Sequence, residues 1–162
     1  MYQSLLLIPL ALLASTTRAG ETSPGSAVII NACSYEIYID VRNLDGESTS
    51  VTISSTGYWS QQWTSLDSQH GWTFAMANVP NSNAPLEFEY TRTLPGSQTA
   101  SDTVFWDLNC DLGDPWQGDW KLSDPNDASI QQACSQSPED DNAVQMCSPS
   151  DTVSLTLCAS QA

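Results

Sequence analysis

Apolar and polar residues alternate along most of this chain, and helical spacing is almost absent. In the stretch 35–41, Tyr35, Ile37, Ile39 and Val41 point one way, while Glu36, Tyr38 and Asp40 point the other. The turn residues Asn43-Leu44-Asp45-Gly46 end that strand, and a Ser/Thr/Val-rich strand follows at 48–53. Ser55-Thr56-Gly57 breaks the pattern before 58–63, and further strands are predicted at 71–76, 86–91, 103–108 and 152–158. Residues 78–85 are a loop by composition, and Pro95-Gly96 supplies another turn. Short strands at this spacing predict an all-β sandwich or barrel built from antiparallel pairs. The segment 109–150 breaks the rhythm. It is crowded with Asp, Pro, Gly, Ser and Gln, and reads as a long irregular loop region with a short helix around 127–134.

The two ends match. Both 27–40 and 151–158 alternate, and each carries a cysteine, Cys33 and Cys158, placed so that one bond can tie the first strand to the last. Cys110, Cys134 and Cys147 all lie in the irregular segment. No C-x-x-C pair occurs, so zinc and thioredoxin-type readings have no support, and five cysteines leave one thiol over. The pairing itself is not fixed by spacing.

Residues 5–13 form an apolar run far shorter than the ~20 residues of a membrane-spanning helix. Thr17-Arg18-Ala19 then offers a cleavage site, so 1–19 read as a secretory signal peptide and 20–162 as one exported domain. An oxidising compartment suits the cysteines. The chain lacks any Asn-x-Ser/Thr sequon, so no N-glycosylation is expected. Net charge is −15, and beyond the leader only Arg42, Arg92 and Lys121 stand against 19 acids. Such a surface repels phosphate-rich partners, which argues against nucleic acid and anionic membranes.

Chemistry-bearing patterns are few. Glu87 and Glu89 are i and i+2 on one strand, which places two carboxylates on one face roughly 6–7 Å apart. Glycoside hydrolysis uses carboxylates at such separations, yet a chain this acidic forms such pairs by chance, and a solvated strand face explains them equally. Asp107-Leu108-Asn109-Cys110-Asp111 opens like a calcium loop, but the glycine falls one place late and Gly118 occupies the position of the closing glutamate. We read these acids as turn formers, with no metal. His70 is the sole histidine, in a loop, and no G-x-S-x-G elbow accompanies it. Trp59 and Trp63 share one strand face, most economically the core. Trp116 and Trp120 sit in the polar segment, where they either cap the sandwich edge or offer flat rings to a ligand.

Several motifs in order resemble the thaumatin-like proteins, and more closely their short fungal branch, the Bys1-domain or antigenic thaumatin-like proteins. They are Ile30-Asn31-x-Cys33-Ser34-Tyr35, Leu86-Glu87-Phe88 after Pro85, Phe105-Trp106-Asp107-Leu108, Gly113-Asp114-Pro115-Trp116-x-Gly118, and the closing Leu155-Thr156-Leu157-Cys158. The resemblance implies a thaumatin-like β-sandwich pinned by a Cys33–Cys158 bridge. A second bridge, Cys134–Cys147, is then expected within the irregular segment, leaving Cys110 odd. Plant members carry an acidic cleft tied to β-glucan binding and, in some cases, weak glucanase or antifungal activity. Two cleft carboxylates map onto Glu87 and Asp107. The third falls on Leu112, with Asp111 one position early, and the cysteine-rich second domain of the plant proteins is missing.

Together these readings lead to a secreted monomer that binds a cell-wall polysaccharide of β-glucan type without cofactor or catalysis. Glu87, Asp107 and Asp111, with Trp116 or Trp120, would line the surface. The alternatives are an effector that meets an extracellular host protein, and a weak endo-β-glucanase using Glu87.

Overall fold

A computed structural model describes residues 24–66, 71–94, 102–124 and 144–162. Two sheets pack face to face, with almost no helix. The smaller holds β4 (Tyr58–Gln62), β1 (Ser26–Asn31), β10 (Thr152–Leu157) and β8 (Trp120–Ser123), in that order. The larger holds β3 (Ser48–Ile53), β2 (Ile37–Asn43), β5 (Trp72–Ala77), β6 (Leu86–Thr93), β7 (Thr103–Asn109) and β9 (Gln145–Cys147). Every pair is antiparallel except β1 with β10, the first and last strands, which run parallel.

Period-2 alternation decides which side chains meet. Ala27 and Ile29 of β1, Val153 and Leu155 of β10, and Leu122 of β8 face inward from the small sheet. Ile37, Ile39 and Val41 of β2, Phe74 and Met76 of β5, Leu86, Phe88 and Tyr90 of β6, and Val104, Trp106 and Leu108 of β7 meet them. Aromatic rings run through the middle. Trp59 meets Phe74 edge-on at 5.0 Å, Phe74 stacks on Phe88 at 5.8 Å, and Phe88 stacks on Trp106 at 5.7 Å. Trp63, at 2% exposure, packs edge-on against Tyr90 at 4.8 Å, so the shared inward face of Trp59 and Trp63 is real. Each such ring removes a large apolar area from water, and these contacts dominate the cohesion of the two sheets.

The parallel pairing of β1 with β10 places Cys33 and Cys158 just past the ends of both strands, and they are bonded, Cα atoms 5.0 Å apart. Asn31 secures the same corner. Fully buried, it donates through Nδ2 to the carbonyls of Tyr35 at 2.8 Å and Ile53 at 3.0 Å, while its Oδ1 accepts from the Cys33 N–H at 2.9 Å. That side chain also ends β1 and turns the chain into β2, so the continuous alternation over 27–40 is two strands in two different sheets.

The described residues of the segment 109–150 include two short strands that its composition does not predict. β8 pairs antiparallel with β10, and β9 pairs antiparallel with β7. Four and three residues are too few for alternation to stand out among polar neighbours. The expected Cys134–Cys147 bridge is also corrected. Cys147 is a free thiol, half-buried beside the core, and Cys110, the cysteine expected to be odd, is disulfide-bonded. Burial foremost, with Asp124 and Asp151 nearby, pushes the Cys147 thiol up to about 12, so it stays protonated. The expected helix at 127–134, the turn at Pro95-Gly96, His70 and the leader lie outside the described residues.

Candidate functional site

The outward face of the six-stranded sheet is where the acids gather. Strand register arranges them in rows. One row reads Ser48, Arg42, Thr73, Glu89, Asp107 across β3, β2, β5, β6 and β7. The next reads Ser50, Asp40, Ala75, Glu87, Asn109. Arg42 reaches diagonally between them, its guanidinium donating to the Glu87 carboxylate in an ion pair.

Glu87 is 6% exposed, although it lies on a sheet face turned away from the core. Burial raises its pKa, Arg42 opposes that, and the carboxylates of Glu89 and Asp111 raise it further. Sequence-predicted Glu87, Asp107 and Asp111 therefore do come together. Asp107 is on the strand beside Glu87, and Asp111 is close enough from the β7–β8 connection to act on its charge. Glu89 accepts from the Thr73 hydroxyl at 3.1 Å and stands directly opposite Asp107. Like charges directly opposite on adjacent strands repel, and the pair gives this face a strongly anionic character. Thr73, Glu89, Asp107 and Phe105 line an open cleft of about 340 Å3, rimmed by the exposed Leu44 and Val144.

The two candidate tryptophans are elsewhere. Trp116 is 6% exposed and belongs to the core cluster, and Trp120 packs against that core from the small sheet. Asp114 holds both. Its Oδ1 accepts from the Trp116 N–H at 3.0 Å, and its Oδ2 from the Gly118 N–H at 2.7 Å and the Trp120 indole at 3.2 Å. Gln117 and Gly118 then take left-handed backbone, φ 53° and 84°, to complete the turn. The Gly-Asp-Pro-Trp-x-Gly motif is thus an edge cap over the sandwich, and a buried indole cannot stack on a sugar. Asp114→Ala is expected to lose about 2–3 kcal/mol of unfolding free energy by urea denaturation, because charge-assisted bonds and an ordered turn go together. Asp114→Asn should lose less, since one amide oxygen still accepts.

Phe105 is the ring that sequence reading passed over. Its half-exposed face lies outward on β7, two residues from Asp107, beside the exposed Met146 of β9. Arg42 was also missed as a site residue. The signal for both was strand parity: any residue an even number of places from Asp107 or from Tyr38 shares the outer face. Gly113 locks the neighbouring connection in place, since a Cβ there would fall 2.7 Å from both the Cβ and the carbonyl oxygen of Ala84. Among the described residues no group of three or more His, Cys, Asp or Glu side chains is disposed to hold a metal ion.

Comparison with known proteins agrees with this architecture. No curated protein matches the chain. Among solved structures, the protein elicitor MoHrip2 from Magnaporthe oryzae superposes with a TM-score of 0.61 at 19% identity, covering 83% of this chain and 99% of that one. Residues 14–159 match the family model described as Bys1, Blastomyces yeast-phase-specific protein, and that span is nearly the whole chain. The chain belongs to the Bys1 family.

Proposed function

We propose that this protein is secreted after removal of residues 1–19 and binds a neutral cell-wall polysaccharide of β-glucan type, without catalysis, on the outer face of its six-stranded sheet. On this reading the thaumatin-like resemblance extends to the use of that face. The observation that carries the proposal is the Glu89–Asp107 pair, two carboxylates set opposite each other on the floor of a cleft, with Thr73 and Phe105 beside them. Carboxylates accept hydrogen bonds from sugar hydroxyls, and an aromatic face packs on the apolar side of a pyranose ring. A neutral polymer escapes the repulsion that this acidic surface exerts on anions. Glu87, tied to Arg42 and nearly covered, supports the cleft rather than opening into it as a proton donor.

The test is retention of the purified protein on insoluble β-1,3-glucan, chitin and cellulose, with released reducing ends assayed in the same tubes. We expect selective retention on β-1,3-glucan with no sugar release. A Glu89→Gln, Asp107→Asn double variant should lose retention at least about tenfold while keeping the parent's circular dichroism spectrum, because the amides keep the shape of the side chains and lose their charge. Retention on none of the polymers would sink this reading. An effector that engages an extracellular host protein would then lead. The fold it shares with MoHrip2, a protein elicitor, favours that second reading.

A further inference from the structure

A second cavity opens on the same sheet face, on the far side of the Arg42–Glu87 ion pair. It measures about 210 Å3 and is more enclosed than the first. Its floor is made by small side chains, Ala75 and Ala77, and its outer wall by the loop 78–85, where Asn81 takes left-handed backbone at φ 55°. Tyr38 sits between Ala77 and Thr52 in one row, and Asp40 between Ala75 and Ser50 in the next. Ser50 donates to Asp40 at 2.7 Å.

The two cavities present the same chemistry. The first has Phe105, the carboxylates of Glu89 and Asp107, and the Thr73 hydroxyl. The second has Tyr38, the carboxylate of Asp40, and the hydroxyls of Ser50 and Thr52. Alanine at 75 and 77 is what opens the second, since on an outward strand face any larger side chain would stand in it. Both volumes are at or below the ~300–1,000 Å3 of pockets that enclose drug-sized ligands, so each suits a short piece of a longer molecule. Arg42 lines the second cavity and shares a row with Thr73, Glu89 and Asp107 in the first, so the ion pair forms the divide between them.

We propose that these cavities are two saccharide subsites of one elongated site, so that the ligand is an oligomer running diagonally across β2, β5, β6 and β7 over the Arg42–Glu87 pair. Tyr38 and Phe105 are three strand spacings and six residues apart by register, ~14 Å across and ~20 Å along the sheet. A disaccharide fills one subsite; a hexasaccharide reaches both. This inference rests on the polysaccharide reading above.

Calorimetric titration with laminaribiose and laminarihexaose tests it. The parent protein should bind the hexasaccharide at least about tenfold more tightly than the disaccharide, and Tyr38→Ala should remove about tenfold from the hexasaccharide alone. Phe105→Ala should likewise weaken the hexasaccharide by about tenfold and leave a disaccharide able to bind at the other subsite. Should Tyr38→Ala prove unstable by thermal melt, Asp40→Asn, at an exposed position, replaces it with the same expectation. Equal affinity for the two lengths, or hexasaccharide affinity untouched in the variant, overturns the second subsite and leaves the binding reading standing. Binding of neither sugar overturns both.

Discussion

Replacing Cys33 and Cys158 together by alanine should lower the unfolding free energy by about 5 kcal/mol, because the bond closes a loop of 125 residues. In the chain-entropy account, cross-linking restricts the unfolded ensemble, and the restriction grows with the logarithm of the loop. Domains of this size are stable by ~5–15 kcal/mol, so the loss is a third or more of the whole. The location sharpens the expectation. The bond sits where β1 and β10 run parallel, and a parallel pair can be joined only through a long crossover, here almost the entire chain. Urea denaturation of the double variant against the parent checks it, and the variant's steeper m-value should report a more expanded unfolded state. A loss below about 1 kcal/mol would mean that Asn31 and the interstrand hydrogen bonds hold this corner without the bond.

The same corner shows what the chain discloses before it folds. Alternation named β2, β3, β4, β5, β6, β7 and β10 to within a residue or two, because each buries one face and so must repeat every second position. It joined β1 to β2, since nothing in the pattern reveals that a buried Asn31 diverts the chain from one sheet to the other. β8 and β9 escaped notice because a three- or four-residue strand is recruited by its neighbours rather than by its own sequence. The carboxylates of the proposed site were legible through strand parity and family motifs. Its rings were not. Trp116 and Trp120, flat aromatics in a polar segment, read either as an edge cap or as a ligand platform, and Asp114 turns that segment so that Trp116 enters the core and Trp120 packs against it. Phe105 and Tyr38 looked like ordinary strand residues, and their outward faces matter only because register sets them beside carboxylates and alanines. Of the expected bridges, Cys33–Cys158 formed and the second pairing did not. Nothing in the sequence selected a partner for Cys147, and β9 sets it against the core beside Val104 as a free thiol.

Arg42→Ala should cost about 2 kcal/mol of stability near pH 7.5 and almost nothing near pH 4. Removing one partner of a fully buried ion pair costs ~3–5 kcal/mol because the other charge is left uncompensated. Glu87 is nearly covered but half of the Arg42 side chain is exposed, which reduces the figure. The pH dependence follows from the sign of the Glu87 shift. Its folded pKa is raised above the ordinary 4.5, so the contribution of this group to stability is fully present below that value and is lost as pH rises through the raised one. Arg42 is the partner that limits the rise. Without it, burial and the charges of Glu89 and Asp111 act unopposed, the folded pKa climbs further, and the loss on going to neutral pH deepens. Near pH 4 the carboxyl is largely protonated with or without Arg42, and the two proteins should converge. Asp102 works the other way. Its two bonds from Arg92 lower its pKa below the ordinary 3.8, and the stability it contributes disappears only as pH falls through that lower value. Measurements kept above about pH 4 therefore leave the Asp102–Arg92 contribution in place while Glu87 titrates. The decisive comparison is a double-mutant cycle by urea denaturation at both pH values. Glu87→Gln in the Arg42→Ala background should restore most of the loss at pH 7.5, because a neutral amide leaves no buried charge. An Arg42→Ala cost that is equal at the two pH values, or untouched by Glu87→Gln, would assign the role of Arg42 to packing of its aliphatic stem across the sheet.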